Sequence, residues 1–143
     1  MPAPMSEIAK LSHQLVELYD KLSSWEQGVV KNSGLSTAQM HTIEIVGHGG
    51  TALRMKDLAK KMGVTTGTLT VMIDRLEQQG LLKRTPHETD RRSYLIALTE
   101  KGQGLFAEHH QYHLHLTEEI TATLSKEEQA LFSAVLEKII SQM

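Results

Sequence analysis

Apolar residues recur at Ile8, Leu11, Leu15, Leu18, Leu22, Trp25 and Val29, in alternating steps of three and four. That spacing predicts a helix over residues 6–31 with an apolar seam that packs along another helix. Gly34 closes the following loop, and "STAQ" at 36–39 is a capping box, with Ser36 taking an orphan amide and Gln39 reaching back to the cap. A second helix then runs to about Gly47, where "GHGG" breaks it. "RMKDLAKKMG" predicts a short helix over 55–62, stopped by Gly63. In "VTTGTLTVMIDRLEQQG", Thr65 or Thr66 caps a helix that carries Leu69, Met72, Ile73 and Leu76 on one face and ends at Gly80.

Beyond Gly80 the period falls from 3.6 to 2. "LLKRTP" and "RSYLIAL" flank the polar "HETDR", which predicts a β-hairpin with a charged tip. Thr99 caps a long helix over 100–123, and "SKEE" at 125–128 is a second capping box. It opens a closing helix with Leu131, Val135 and Ile139 on its buried face. No internal repeat interrupts this order. The fold class is mainly α with a small β-hairpin.

Composition narrows the function classes. The chain has 143 residues, 40% of them hydrophobic, and three prolines, which predicts one globular unit without a disordered half. It has no cysteine, so disulfides, thiolate metal sites and Cys nucleophiles are excluded, and a metal would need His and carboxylate ligands. The opening "MPAPMSEIAK" lacks a basic region followed by an apolar run, and no stretch approaches the length of a membrane span. A cytoplasmic protein with no membrane partner is expected.

Charge is unevenly distributed. The net charge is -2, yet residues 51–95 hold nine Lys or Arg against five Asp or Glu. The middle of the chain therefore suits a polyanion, because phosphate binding needs a local basic surface rather than a basic protein.

Two short helices joined by a Gly-containing turn, followed by a hairpin with a basic tip, form the layout of a winged helix-turn-helix. The helix from residue 66 fits a major groove about 12 Å wide. Thr65, Thr66, Thr68 and Thr70 offer hydroxyls to phosphates or base edges, and Arg75 lies one or two turns further on. At the tip, "TDRR" places Asp90 beside Arg91 and Arg92, where an arginine suits a narrow minor groove and Asp90 suits holding a guanidinium. Two other classes remain. One is a winged-helix protein-interaction module without DNA binding, which the Thr-rich helix and intact "DRR" oppose. The other is a zinc enzyme, for which no HExxH, nucleophile elbow or P-loop is present.

From "LSTAQMHTIEIV" through "MKDLAKKMGVTTGTLTVMIDRLEQQGLLKRTPHETDRRSYLIALTEKG", the chain resembles the MarR family of bacterial transcription regulators. The most specific block is "IDRLEQQGLLKRTPHETDRRSYLIALTEKG". The resemblance implies a single domain over 1–143, with a winged helix-turn-helix lobe at 36–98 and dimerisation helices at 6–31 and 100–142. It further implies a homodimer that acts as a repressor, reading two half-sites of a double-stranded DNA operator. Asp90 and Arg92 would form the wing pair, and Thr65 to Arg75 the recognition helix.

The segment "AEHHQYHLHL" at 107–116 packs His109, His110, His113 and His115 together, and His109 and His113 stand one helical turn apart. Such an i, i+4 pair presents two imidazoles to one zinc ion. Zinc-sensing repressors of the family draw ligands from regions that match Glu26, His41, His109 and His113 here, although Met40 stands where a neighbouring glutamate is expected. The family's regulators of fatty-acid synthesis are equally similar and imply an acyl or other small hydrophobic ligand, which the seven methionines would suit. Zinc, an acyl chain and imidazole protonation are therefore all candidate signals.

Overall fold

The structure, a computed structural model, describes residues 4–50, 52–87, 89 and 93–143. Among these the elements run α1 (Glu7–Lys31), α2 (Thr37–Gly49), β1 (Leu53–Arg54), α3 (Met55–Met62), α4 (Thr66–Gln78), β2 (Leu82–Pro86), β3 (Tyr94–Leu98), α5 (Glu100–Thr121) and α6 (Lys126–Gln142). The chain divides into two compact units, Met1–Phe106 and Ala107–Met143, with the boundary inside α5. No helix among the described residues is long and apolar enough to cross a membrane.

The helix ends follow the capping chemistry of the sequence. Ser6 caps α1 by accepting from the Ala9 amide, and Ser36 with Gln39 forms the expected reciprocal box at α2. Helix α2 continues two residues past Gly47 because Gly50, at φ 65°, supplies the left-handed turn that ends it. Gly63, at φ 67°, ends α3 in the same way, and Thr65 caps α4 by accepting from the Thr68 amide. Ser125 and Glu128 form the second box at α6.

Strand β1 is not visible in the hydrophobic pattern, since two residues cannot show an alternation. It pairs antiparallel with β3, Leu53 opposite Ile96, and gives a three-stranded sheet in the order β1-β3-β2. Strand β2 pairs with β3 with Leu82 opposite Leu98, Arg84 opposite Ile96 and Pro86 opposite Tyr94. Proline is tolerated there because β2 is an edge strand.

The core of the first unit lies beneath α4. Ile43, Leu58, Leu69, Ile73, Leu76 and Ile96 are each 0% exposed, so α2, α3, α4 and β3 share one interior. The Thr42 hydroxyl is buried there, donates to the Ala38 carbonyl at 2.9 Å, and has the Met72 and Met62 sulfurs at 2.8 and 3.3 Å. Met40, Met62 and Met72 thus belong to the packing of this core.

The closing helix departs from its sequence pattern. Leu131, Val135 and Ile139 are expected on a buried face, but they are 66%, 43% and 46% exposed, and no residue of α6 is buried. Periodicity identifies the apolar side of a helix without saying what covers it. The seam of α1 behaves similarly: Ile8, Leu11 and Leu15 are exposed, and Val30 is the buried residue of that helix.

Candidate nucleic-acid interface

Helices α3 and α4 are joined by the turn through Gly63, and the N-terminus of α4 projects from the core on the buried anchors Leu69, Ile73 and Leu76. The outer side of α4 is then fixed by the helical period. Thr65, Thr66, Thr68 and Arg75 are exposed, as expected of groove-facing residues, while Thr70 is half-buried.

These hydroxyls are not equivalent. Thr65 accepts from the Thr68 amide at 3.1 Å and donates to the Thr68 hydroxyl at 3.0 Å, so it is spent on the cap. Thr70 donates to the Thr66 carbonyl at 2.7 Å. Among the described residues the Thr66 and Thr68 hydroxyls donate to no other group, and they lie next to amides at the positive end of the helix dipole. The Arg75 guanidinium makes no ion pair among the described residues. It borders a shallow groove of about 340 Å³ with Ser36, Gln39, Thr68, Val71 and Met72. This side of the unit can therefore meet a phosphate backbone with hydroxyls, helix-end amides and a guanidinium.

The ribbon of β2 and β3 lies beyond α4, and its strands converge on the expected tip. Asp90, Arg91 and Arg92 lie outside the described residues. At the base of the tip, His87 receives the Arg54 guanidinium on Nε2 at 3.3 Å, and its Nδ1 is 3.1 Å from the Thr89 hydroxyl. The sequence pattern does not single out Arg84, which is turned inward: it pairs with Asp74, and its Nε lies 3.6 Å from Glu77. A signal is present in the strand alternation, because Arg84 stands two residues after the buried Leu82.

The expected metal ligands divide between the two units. In the first, the expected Glu26 is half-buried, and a carboxylate oxygen of Glu44, which the sequence pattern does not single out, lies within 4.8 Å of one of its own. His41 is exposed, one turn before Glu44 on α2. In the second unit, His109 is buried and its Nε2 lies 3.1 Å from the Nε2 of His113. Two nitrogens on one tetrahedral zinc stand roughly 3.3 Å apart at ordinary Zn–N lengths. The imidazole pair therefore fits a shared cation as well as a shared proton. His115 is exposed and lies 4.0 Å from Glu118.

The turn-linked α3 and α4, the hydroxyl-rich helix start and the antiparallel ribbon together define a winged helix-turn-helix. Residues 35–94 match the MarR family. The chain is 33% identical over 102 residues to the HTH-type transcriptional regulator YfiV of Bacillus subtilis, covering 71% of this chain and 63% of that protein. It is 28% identical over 130 residues to the HTH-type transcriptional regulator MhqR of Bacillus subtilis, covering 91% and 89%. The solved structure of Streptococcus pneumoniae FabT in complex with DNA superposes with a TM-score of 0.84 at 25% identity, covering 94% of this chain and 96% of that one. Residues 35–94 thus carry a MarR-family domain, and the MarR family is one of transcription regulators and not of enzymes.

Proposed function

We propose that the protein is a sequence-specific repressor that binds operator DNA as a homodimer in the cytoplasm, with its affinity set by a small ligand or metal ion. The observation that carries this reading is the start of α4, where the Thr66 and Thr68 hydroxyls stand exposed at a helix N-terminus and Arg75, exposed on the same helix, makes no ion pair among the described residues. The similarity to FabT, solved in complex with DNA, supports the same reading. Thr65, Thr66, Thr68, Thr70 and Arg75 would face the major groove, and Asp90, Arg91 and Arg92 of the wing the adjacent minor groove. The exposed seam of α1 and the exposed face of α6 favour association with a second copy, because both carry apolar residues at helix-packing spacing. Two recognition helices then read half-sites about 34 Å apart, and a ligand that alters their separation alters DNA affinity.

For the signal, we infer a divalent cation such as zinc, on the strength of the 3.1 Å separation of the His109 and His113 Nε2 atoms. Glu26 and His41 are the further ligands that the family resemblance calls for, and Glu44 lies beside Glu26 in the same unit. A bound cation would replace the proton between the two imidazoles and fix both rings.

The experiment is selection of duplexes from a random library, followed by zinc titration of operator binding in the parent and in His109→Ala, His113→Ala, Glu26→Gln, His41→Ala and Glu44→Gln. Zinc should change affinity in the parent and not in the two histidine variants. Operator binding that ignores zinc but responds to a fatty acyl chain would replace the metal with the acyl ligand.

A further inference from the structure

We infer that Arg84 is a positioning residue for DNA recognition: it clamps the wing ribbon to α4 and so fixes the angle at which helix and wing meet the duplex. The inference rests on the DNA-binding reading proposed above. It starts from strand register. Arg84 stands opposite Ile96, and Leu82 opposite Leu98, so Arg84 and Leu82 share the face of the ribbon that turns toward the core. Leu82 and Ile96 are buried, whereas Lys83 and Thr85 on the other face are exposed. The Arg84 side chain is accordingly only 20% exposed.

On α4, Asp74 and Glu77 are three residues apart and so present their carboxylates on one side. The Arg84 guanidinium pairs with Asp74, its Nε lies 3.6 Å from Glu77 Oε1, and its backbone N–H donates to Glu77 Oε2 at 3.3 Å. A forked, planar cation suits two acceptors in this way, which a lysine would not.

The clamp spans a bend. Helix α4 and β2 are linked covalently only through the turn at Gly80, where φ is 75°. The buried Leu82 and Ile96 seat the base of the ribbon in the core beside α4, and Arg84 adds a polar tie between ribbon and helix; without it the ribbon could tilt on that apolar base. Helix and wing would then have to be ordered on the DNA at each binding event, which lowers affinity for a site that needs both. The arrangement also separates two neighbouring residues by role. Asp74 faces the wing and Arg75 faces the groove, so an acid on a DNA-reading helix is neutralised by protein rather than left to repel phosphates.

The test uses the duplex that the full-length parent enriches from a random library, with a scrambled duplex as control, over a series of salt concentrations. Arg84→Met keeps the stem and removes the charged head. It should weaken binding to the selected duplex roughly tenfold, a size reached by couplings within one ion-pair network. Binding to the scrambled duplex and the salt slope should not change. Asp74→Asn and Glu77→Gln should weaken selected-duplex binding too, although each removes a negative charge from a helix that faces DNA; they carry the test if Arg84→Met does not fold.

Three results would overturn the clamp: a salt slope lower by about one in Arg84→Met, which marks a direct phosphate contact; tighter binding by Asp74→Asn; or unchanged affinity for the selected duplex in all three variants. A parent that enriches no duplex overturns the DNA-binding reading itself, and the clamp with it.

Discussion

A Cβ placed on Gly102 would lie 2.1 Å from the carbonyl oxygen of Leu81. The approach is close because the start of α5 is fastened to the turn after α4 at several points. The Thr99 amide donates to that same carbonyl at 3.1 Å, and the Thr99 hydroxyl donates to the Gly80 carbonyl while accepting from the Gly102 amide. The Lys101 ammonium reaches the Gln79 carbonyl at 2.9 Å. The sequence "TEKG" is thus a fastener, and each of its Thr, Lys and Gly has a separate physical task.

Gly102→Ala should therefore destabilise the protein by about 1–3 kcal/mol, the range for forcing an extra methyl into packed surroundings. The obstacle is backbone, which cannot rotate away. Urea denaturation checks this; a midpoint equal to that of the parent would contradict the close packing.

Thr65 separates capping from DNA contact. Thr65→Ala should cost about 1 kcal/mol through loss of the bond to the Thr68 amide. Thr65→Asp restores a capping acceptor but adds negative charge at the helix end proposed to meet phosphates. It should melt close to the parent in DNA-free solution yet bind operator more weakly than Thr65→Ala. Equal operator affinity for the two variants would argue against that orientation of α4.

Tyr112 and Glu108 supply a pH test. A hydrogen bond to Glu108, aided by its negative charge, raises the Tyr112 phenol above its ordinary value near 10.0. The folded state thus prefers the neutral phenol, and any contribution to stability is present below about pH 10. It is lost as pH rises through the folded value. Ultraviolet titration should show the Tyr112 phenol ionising above its ordinary value, and Glu108→Gln should lower its midpoint. A titration curve that Glu108→Gln leaves unchanged would rule out Glu108 as the cause.

The exposed apolar faces predict the oligomeric state. Leu11→Lys with Leu15→Lys on α1, and separately Leu131→Lys with Ile139→Lys on α6, place charges on surfaces that are 51% and 55%, and 66% and 46%, exposed in the single chain. Their cost to the isolated fold should be small, because little apolar contact is removed. Sedimentation should show a dimer for the parent and a shift toward monomer for both variants. An unshifted profile would remove these faces from the interface.

Much of the fold was legible because it depends on local chemistry. Caps at Ser36, Thr65 and Ser125, the left-handed Gly63 and the change of period after Gly80 each leave a mark within a few residues. Strand β1 was not legible: its two residues gain meaning only from β3, more than forty positions later. The expected cover of α6 failed for the same reason, as a periodic stripe records no partner. At the candidate site the sequence singled out the threonines and Arg75 by type and position. It did not show that Thr65 and Thr70 spend their hydroxyls inside the helix. Arg84 looked like one more basic residue of the wing, since its inward turn depends on the pairing of β2 with β3 and on carboxylates seven and ten residues earlier.

The central claim is that the exposed side of α4 reads DNA sequence. The most direct measurement is binding of the parent and of Arg75→Ala to the selected and scrambled duplexes as a function of salt. The parent should prefer the selected duplex by about a thousandfold or more at physiological salt. Its affinity should fall steeply with salt, and Arg75→Ala should show a clear loss of selected-duplex affinity. Equal binding of the two duplexes by the parent, or an Arg75→Ala variant that matches the parent, would contradict the claim.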